Sequence, residues 1–498
     1  MRPRRRADLL TAAIGAVVLA SVVAFLLARG PSTPKYQISP SASTNPSSAS
    51  AHPRTLPAVR GRPNLVLILS DDQRWDTLEA MPQVQSKIVD HGITFANSFV
   101  VNPECCPSRA SILTGQYSHT TGVYKNDPPN GGFKSFRDGD TVATRLHDAG
   151  YTTALLGKYL NGYARTRYVP PGWDRWVAFT TSAQGAGDGD YFDYELSIDG
   201  TASIHGHAVK DYSTDVLADE AVSFIQAADP NRPLFLYFAP RPPHEPPVPA
   251  ARNRVAFSGL PPWRPESYNE ADVSDKPRYV RAVPLLGPKR RDDLDELRIG
   301  QYRTLLALDQ AVGRIVGALA GTHRLTNTLL VYASDNGYLW GEHRLLRKLV
   351  PYEESIRVPL AIRYDAKIAV TRTDPHLVLN IDWAPTFAQA AGIRLAQPDG
   401  RSLLPLLATP SPGELSWRED FLVEHLQSWD KVPTYCAVRA QTWIYVRYAT
   451  GETEYYDLAA DPLELDNLSD DPSRATVVAA ADRRLRSLCR PAPPGLSL

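Results

Sequence analysis

Short uninterrupted apolar runs recur along the chain at Asn64–Ser70, Thr152–Leu156, Leu234–Phe238, Thr328–Ala333, Pro359–Arg363 and Leu377–Ile381. Runs of this length without polar alternation suit strands covered on both faces, as in a parallel sheet. Between them, apolar residues return at helical spacing over Pro82–His91, Thr141–Ala149, Ser213–Ala228, Leu297–Ala320 and Ala384–Ala391. Strands alternating with helices predict an α/β domain with a large, mostly parallel central sheet flanked by helices. The proline-rich, charged stretch from Arg241 to Arg291 has no period and predicts a long loop over that sheet. After about Pro410 the pattern changes. Phe421–His425, Tyr435–Arg439, Trp443–Tyr448 and Glu454–Leu458 read as short strands joined by tight turns, and Arg474–Leu488 reads as a helix. They predict a smaller C-terminal antiparallel-sheet subdomain.

The N-terminal residues follow another pattern. Arg2, Arg4, Arg5 and Arg6 precede a nearly uncharged run from Leu9 to Leu27, closed by Arg29. Such a run is close to the ~20 residues that cross a bilayer, and the flanking arginines send the rest of the chain outward. Residues 1–30 therefore read as a signal-anchor or a signal peptide, so the protein is exported, either membrane-anchored and facing outward or secreted. Residues 31–63, rich in Ser, Pro and Thr, read as a disordered tether. Residues 64–410 form the predicted α/β domain and 411–498 the C-terminal subdomain.

Composition narrows the function classes. Lys plus Arg equals Asp plus Glu at 54 each, so no global field draws the chain to nucleic acid. Four cysteines are too few for a disulfide scaffold. Cys105 and Cys106 are adjacent, which disfavours a bridge between them. The separation of Cys436 and Cys489 leaves their pairing open.

Candidate chemistry gathers where predicted strands end. Asp71 and Asp72 follow the first strand, and Asp335-Asn336-Gly337 follows the strand that ends at Ala333. Loops at the carboxyl ends of parallel strands converge on one crest, so these segments can meet there. Three carboxylates and an amide oxygen suit a hard cation, Ca²⁺ or Mg²⁺, better than Zn²⁺. In Cys105-Cys106-Pro107-Ser108-Arg109-Ala110-Ser111-Ile112-Leu113-Thr114-Gly115, Pro107 suits an early helical position and Gly115 the residue past the end. Cys105 then sits just ahead of a helix N-terminus, where anions are favoured. Lys158, His244 and Lys348 also stand next to predicted strands. His343 reads equally as a pocket residue or as part of a surface turn.

The string from Cys105 to Gly115 resembles the sulfatase signature Cys-x-Pro-Ser-Arg followed by Leu-Thr-Gly. That resemblance implies that a formylglycine-generating enzyme converts Cys105 to formylglycine. It also implies that Asp71, Asp72, Asp335 and Asn336, with the modified Cys105, bind a cation that is usually calcium. Arg109 and Lys158 are implied to hold the formylglycine, and His244 and Lys348 to grip sulfate, with His244 the better candidate to protonate the leaving oxygen. The implied nucleophile is the aldehyde hydrate, whose second hydroxyl allows sulfate to be expelled. Many sulfatases carry His two residues after the Lys158 position; here Leu160 stands there, leaving the base unassigned. Gly157-Lys158-Tyr159-Leu160-Asn161 and the pair Cys105-Cys106 are instead similar to the branch acting on 6-sulfated N-acetylglucosamine in sulfated glycans. The expected function is hydrolysis of a sulfated carbohydrate. The alternatives are an arylsulfatase, a phosphate or phosphonate ester hydrolase of the same superfamily, and an inactive glycan-binding protein should Cys105 stay unmodified.

Overall fold

A computed structural model describes residues 54–163, 167–180, 190–408, 415–428 and 430–498. The 1–30 segment, the tether up to residue 53 and the boundary near 410 lie outside the described residues.

The first strand, β1 (Asn64–Ser70), explains the architecture. Leu65, Leu67 and Leu69 enter one apolar core and Val66 and Ile68 the core on the opposite face, so a strand with period two has no polar side. Around it a ten-stranded sheet has the order β12-β2-β11-β8-β1-β7-β3-β4-β5-β6. Its members are β2 (Ile93–Phe99), β3 (Thr152–Gly157), β4 (Arg175–Phe179), β5 (Tyr194–Ile198), β6 (Thr201–His205), β7 (Leu234–Ala239), β8 (Thr328–Ser334), β11 (Leu360–Arg363) and β12 (Arg372–Leu379). The central run β8-β1-β7-β3-β4 is parallel throughout, whereas β11 runs antiparallel to both β8 and β2. A two-stranded ribbon, β9 (Leu339–Trp340) and β10 (Leu346–Arg347), lies apart.

Seven helices matter below: α1 (Pro82–Lys87), α2 (Cys105–Thr114), α3 (Val142–Asp148), α4 (Ser213–Ala227), α5 (Pro288–Gly321), α6 (Trp383–Ala390) and α7 (Ala475–Leu488). Helix α3 starts where expected because Thr141 and Thr144 form a reciprocal capping box. Helix α5 is longer than the pattern predicts. Its first turns, Lys289 to Asp293, are mostly charged and face solvent, so they carry no apolar period. The predicted Arg241–Arg291 loop accordingly ends at Gly287 and contains a short helix at Arg278–Arg281. Among the described residues α5 is the helix long and apolar enough to cross a membrane, yet two thirds of its apolar stretch is buried inside the protein.

Strands β13 (Asp420–His425), β14 (Tyr435–Ala440), β15 (Trp443–Tyr448) and β16 (Thr453–Asp457) form the small antiparallel sheet in sequence order. Alternation again assigns the faces. Phe421 and Val423 join a core with Phe99, Leu377 and Tyr352, while Leu422, Cys436 and Val438 pack under Ala481 and Leu485 of α7. Cys436 and Cys489 are bridged, which ties β14 to the end of α7.

Candidate active site

Adjacent parallel strands bring their carboxyl ends to the same edge of the sheet. In the order β8-β1-β7-β3 that edge carries Asp335 and Asn336, Asp71 and Asp72, Arg241 and His244, and Lys158. The backbone stitches these exits together. Asp71 N donates to Pro242 O (3.1 Å), Asp72 N to Asp335 Oδ1 (3.1 Å) and Lys158 N to Ala239 O (2.7 Å). Gly157 is required at the last junction, since a Cβ there would lie 2.1 Å from Ala239 O, at a φ of 119°. Asp72 holds φ at 68°, a left-handed conformation that a non-glycine residue keeps only when its surroundings enforce it.

Helix α2 delivers Cys105. Strand β2 ends at Phe99, after which Val100 N bonds Ile356 O and Val101 N bonds Asn380 Oδ1, turning the chain toward the crest. Cys105 is the first residue of the helix and not the residue ahead of it, because Glu104 supplies the extended N-cap backbone. All ten residues of α2 are buried, and Gly115 closes it with a φ of 74°. Ser108 Oγ donates to Asp335 O and accepts from Asn380 Nδ2 (3.0 Å). Arg109 donates through Nε to Asp335 Oδ2 and through Nη1 to Lys158 O, both at 2.8 Å. The helix is thereby pinned to β8 and β3 through buried polar side chains.

All the residues expected at the site meet here. Lys158 Nζ chelates Asp71 at 2.8 and 2.7 Å, and Arg241 Nη1 lies 3.1 Å from the same carboxylate. Lys348 Nζ reaches Asp72 Oδ1, Asn336 Oδ1 (3.4 Å) and Cys105 Sγ (2.8 Å). Asn336 Nδ2 donates to Asp72 Oδ1 (2.7 Å). His244 Nε2 lies 3.7 Å from Asp72 Oδ2, while its Nδ1 lies 2.6 Å from Glu245 O, which places the ring proton on Nδ1.

Charges at the crest balance among the residues themselves. Four buried cations (Arg109, Lys158, Arg241 and Lys348) face four buried carboxylates (Asp71, Asp72, Asp335 and Asp190, the last 3.6 Å from Arg241). Burial raises the Asp71 carboxyl, but Lys158, His244, Arg241 and Arg109 outweigh it and hold the group well below its ordinary value. Burial likewise raises Asp72, and Lys348 and His244 reverse that. Asp335 is raised by burial and by Asp71, against Arg109. Burial and Arg241 push His244 down to about 3, so near neutral pH its imidazole is uncharged. Burial pushes the Cys105 thiol up to about 11 in spite of Lys158 and Lys348.

The donor set fits a metal. Donor atoms of Asp71, Asp72, Cys105 and His244 lie within 4.8 Å of one another, and Asn336 adds an amide next to Asp72. Lys348, with its ammonium against Asp72, Asn336 and Cys105, marks the space between them as one that stabilises positive charge.

Three findings refine the sequence reading. His343 is fully buried and so is not part of a surface turn; it bonds Glu270 and stacks on Tyr352. Leu160 joins the apolar core, so no base replaces the histidine at that place. Arg241, which the sequence reading missed, bonds Asp71 and lies 3.2 Å from His244 Nδ1. Its position two residues past the end of β7 was the available signal.

Comparison with known proteins follows the same lines. A sulfatase family model matches residues 63–393, and a model for the C-terminal region of N-sulphoglucosamine sulphohydrolase matches residues 341–490. Human N-acetylglucosamine-6-sulfatase is 35% identical over 73% of this chain and 67% of its own length. An extracellular sulfatase SULF-1 homolog of Drosophila melanogaster is 33% identical over 73% of this chain, which spans only 33% of that longer protein. A solved protein in complex with its substrate D-glucosamine-2-N,6-O-disulfate superposes with a TM-score of 0.74 at 24% identity, over 87% of this chain and 99% of the other. The phosphonate monoester hydrolase of Agrobacterium radiobacter gives 0.69 at 24% identity, over 86% and 96%.

Proposed function

Because the chain belongs to the sulfatase family, we propose that it removes the 6-O-sulfate of glucosamine-type sugars in a sulfated glycan, with formylglycine made from Cys105 and one bound cation. That it is a sulfuric-ester hydrolase follows from the family. The observation that carries the finer reading is Cys105 at the buried start of α2, with Lys348 Nζ 2.8 Å from its sulfur and two carboxylates beside it. A thiol pushed to about 11 stays protonated at neutral pH, so the unmodified residue is a poor nucleophile. As formylglycine the same position supplies a hydrated aldehyde, with one hydroxyl to attack sulfur and a second that lets sulfate leave. Calcium, or magnesium, held by Asp71, Asp72, Asp335, Asn336 and the modified position supplies Lewis acidity toward a sulfate oxygen.

The residues of the chain do the rest. Arg109 and Lys158 anchor the crest and orient position 105. Lys348 and His244 face the space beside Cys105, where they meet the sulfate oxygens. His244 is uncharged in the resting site. Its Nε2 therefore starts without a proton; an arriving sulfate ester raises the ring's affinity for one, and a proton taken up there from solvent is the one His244 would pass to the departing oxygen.

Substrate class rests on the human N-acetylglucosamine-6-sulfatase, on the glucosamine disulfate in the solved relative, and on the Gly157–Asn161 string. Export, directed by the arginine-led apolar N-terminus, supplies glycan substrates outside the cell. The test is to purify the protein from its native host, weigh the tryptic peptide containing Cys105, and assay sulfate release from 6-sulfated glucosamine. We expect a peptide about 18 Da lighter than the cysteine form, the thiol-to-aldehyde change. Unmodified cysteine in active protein overturns the nucleophile, and release from aryl sulfates alone overturns the substrate.

A further inference from the structure

Beyond Lys348 the same segment contributes to a second buried cluster that the proposed reaction does not use. His343 follows the β9 strand, Glu354 lies in the short helix Glu353–Ile356, and Glu464 lies in the turn after β16. Donor atoms of the three lie within 4.8 Å of one another. Each side chain is at least nine-tenths buried, at 0%, 6% and 1% exposed respectively. Each also has a buried polar atom without a hydrogen-bond partner: His343 Nε2, Glu354 Oε2 and Glu464 Oε1. Three such orphans in one place are unusual, because unsatisfied buried polar groups are scarce in folded proteins.

The surroundings orient these atoms. His343 Nδ1 lies 2.7 Å from Glu270 Oε2, an acceptor, so the ring proton sits on Nδ1 and Nε2 keeps its lone pair. A carboxylate behind the remote ring nitrogen is the usual support for a metal-bound histidine. Stacking on Tyr352 fixes the ring, with centroids 4.3 Å apart. Glu464 Oε2 is held by the N–H of Glu353 (3.0 Å), leaving Oε1 for the cluster. The neighbouring arginines are engaged elsewhere: Arg74 with Asp76 and Glu342, Arg439 with Glu353. Two buried carboxyl groups and the Nε2 lone pair thus face one another. Burial and Glu342 push Glu354 up to about 7, and burial with Glu353 raises Glu464 well above its ordinary value.

We propose that His343, Glu354 and Glu464 form a second metal site, separate from the crest, that takes a divalent transition ion such as Zn²⁺. The mixed set of one imidazole nitrogen and two carboxylates suits zinc better than calcium, and its double negative charge neutralises the ion. The ion ties the segment bearing Lys348 to the turn after β16, joining the large sheet to the small one. The inference stands apart from the reading of Cys105.

The test uses the whole protein, stripped with chelator, reloaded with Ca²⁺, exposed to Zn²⁺ and desalted. Metal analysis by inductively coupled plasma mass spectrometry should find one zinc per chain in the wild type and in Asp72→Asn, and none in His343→Gln or Glu464→Gln. Zinc should also raise the melting temperature of the wild type and leave both cluster variants unchanged. Absence of zinc from the wild type overturns the proposal, as does zinc that survives both cluster variants and vanishes in Asp72→Asn; the cluster is then a proton-sharing network. If the cluster variants do not fold, anomalous diffraction at the zinc edge from wild-type crystals decides. A peak between His343 and Glu464 supports the site, and a peak only at the crest, or none, overturns it.

Discussion

Lys348 touches Asp72, Asn336 and Cys105 at the crest. Removing its ammonium leaves Asp72 underpaired and takes one donor from the sulfate oxygens. Lys348→Ala should therefore lower kcat by about 10²–10³, the usual effect of deleting one transition-state donor. Steady-state kinetics on a 6-sulfated sugar check this, and a change confined to KM argues against it. Arg241 acts at one remove, by holding Asp71 in place.

The disulfide and His425 bear on the small sheet. The Cys436–Cys489 bridge closes a loop across a separation of 53 residues, so it restricts the unfolded chain. Replacing both cysteines with serine should cost about 2–4 kcal/mol, seen as a lower denaturant midpoint, with activity retained at low temperature. His425 on β13 is fully buried, and burial, against a backbone contact with Val432, pushes it from 6.5 down to about 3. A depressed value means that folding favours the neutral ring. Its contribution is whole above pH 6.5 and is lost as pH falls from there toward 3. The wild type should lose up to about 1.4 kcal/mol per pH unit from this group, and His425→Leu should show a shallower fall. Parallel slopes in chemical denaturation at pH 7 and pH 5 would refute that assignment.

For the whole molecule, three carboxylates packed together at the crest link metal binding to stability. Chelation should abolish sulfate release and lower the melting temperature, and added Ca²⁺ should restore both, in proportion to ion concentration over Kd. The chain is neutral overall and the four buried cations of its crest are matched by four carboxylates, so the excess positive charge that meets a sulfate would come from the bound cation. For an anionic substrate kcat/KM should accordingly fall as salt rises across the range where the Debye length shrinks to about 10 Å, and a salt-independent rate would contradict the charged-pocket reading.

Periodicity and motif spacing were enough to read the α/β class, the parallel core and the crest residues, because those depend on local facts. A strand covered on both faces must be apolar throughout, and residues just past parallel strands must share an edge. Strands β2 and β4 to β6 escaped that reading since Ile93–Phe99 mixes polar with apolar positions and the β4–β6 edge is partly exposed. Tertiary structure alone decided the rest. It placed Arg241 on Asp71, buried His343 against Glu270, bridged Cys436 to Cys489, and brought positions 343, 354 and 464 within reach of one another. Those outcomes depend on which distant segments pack together, and on the charge and burial each group then meets, neither of which is written in the spacing of residues along the chain.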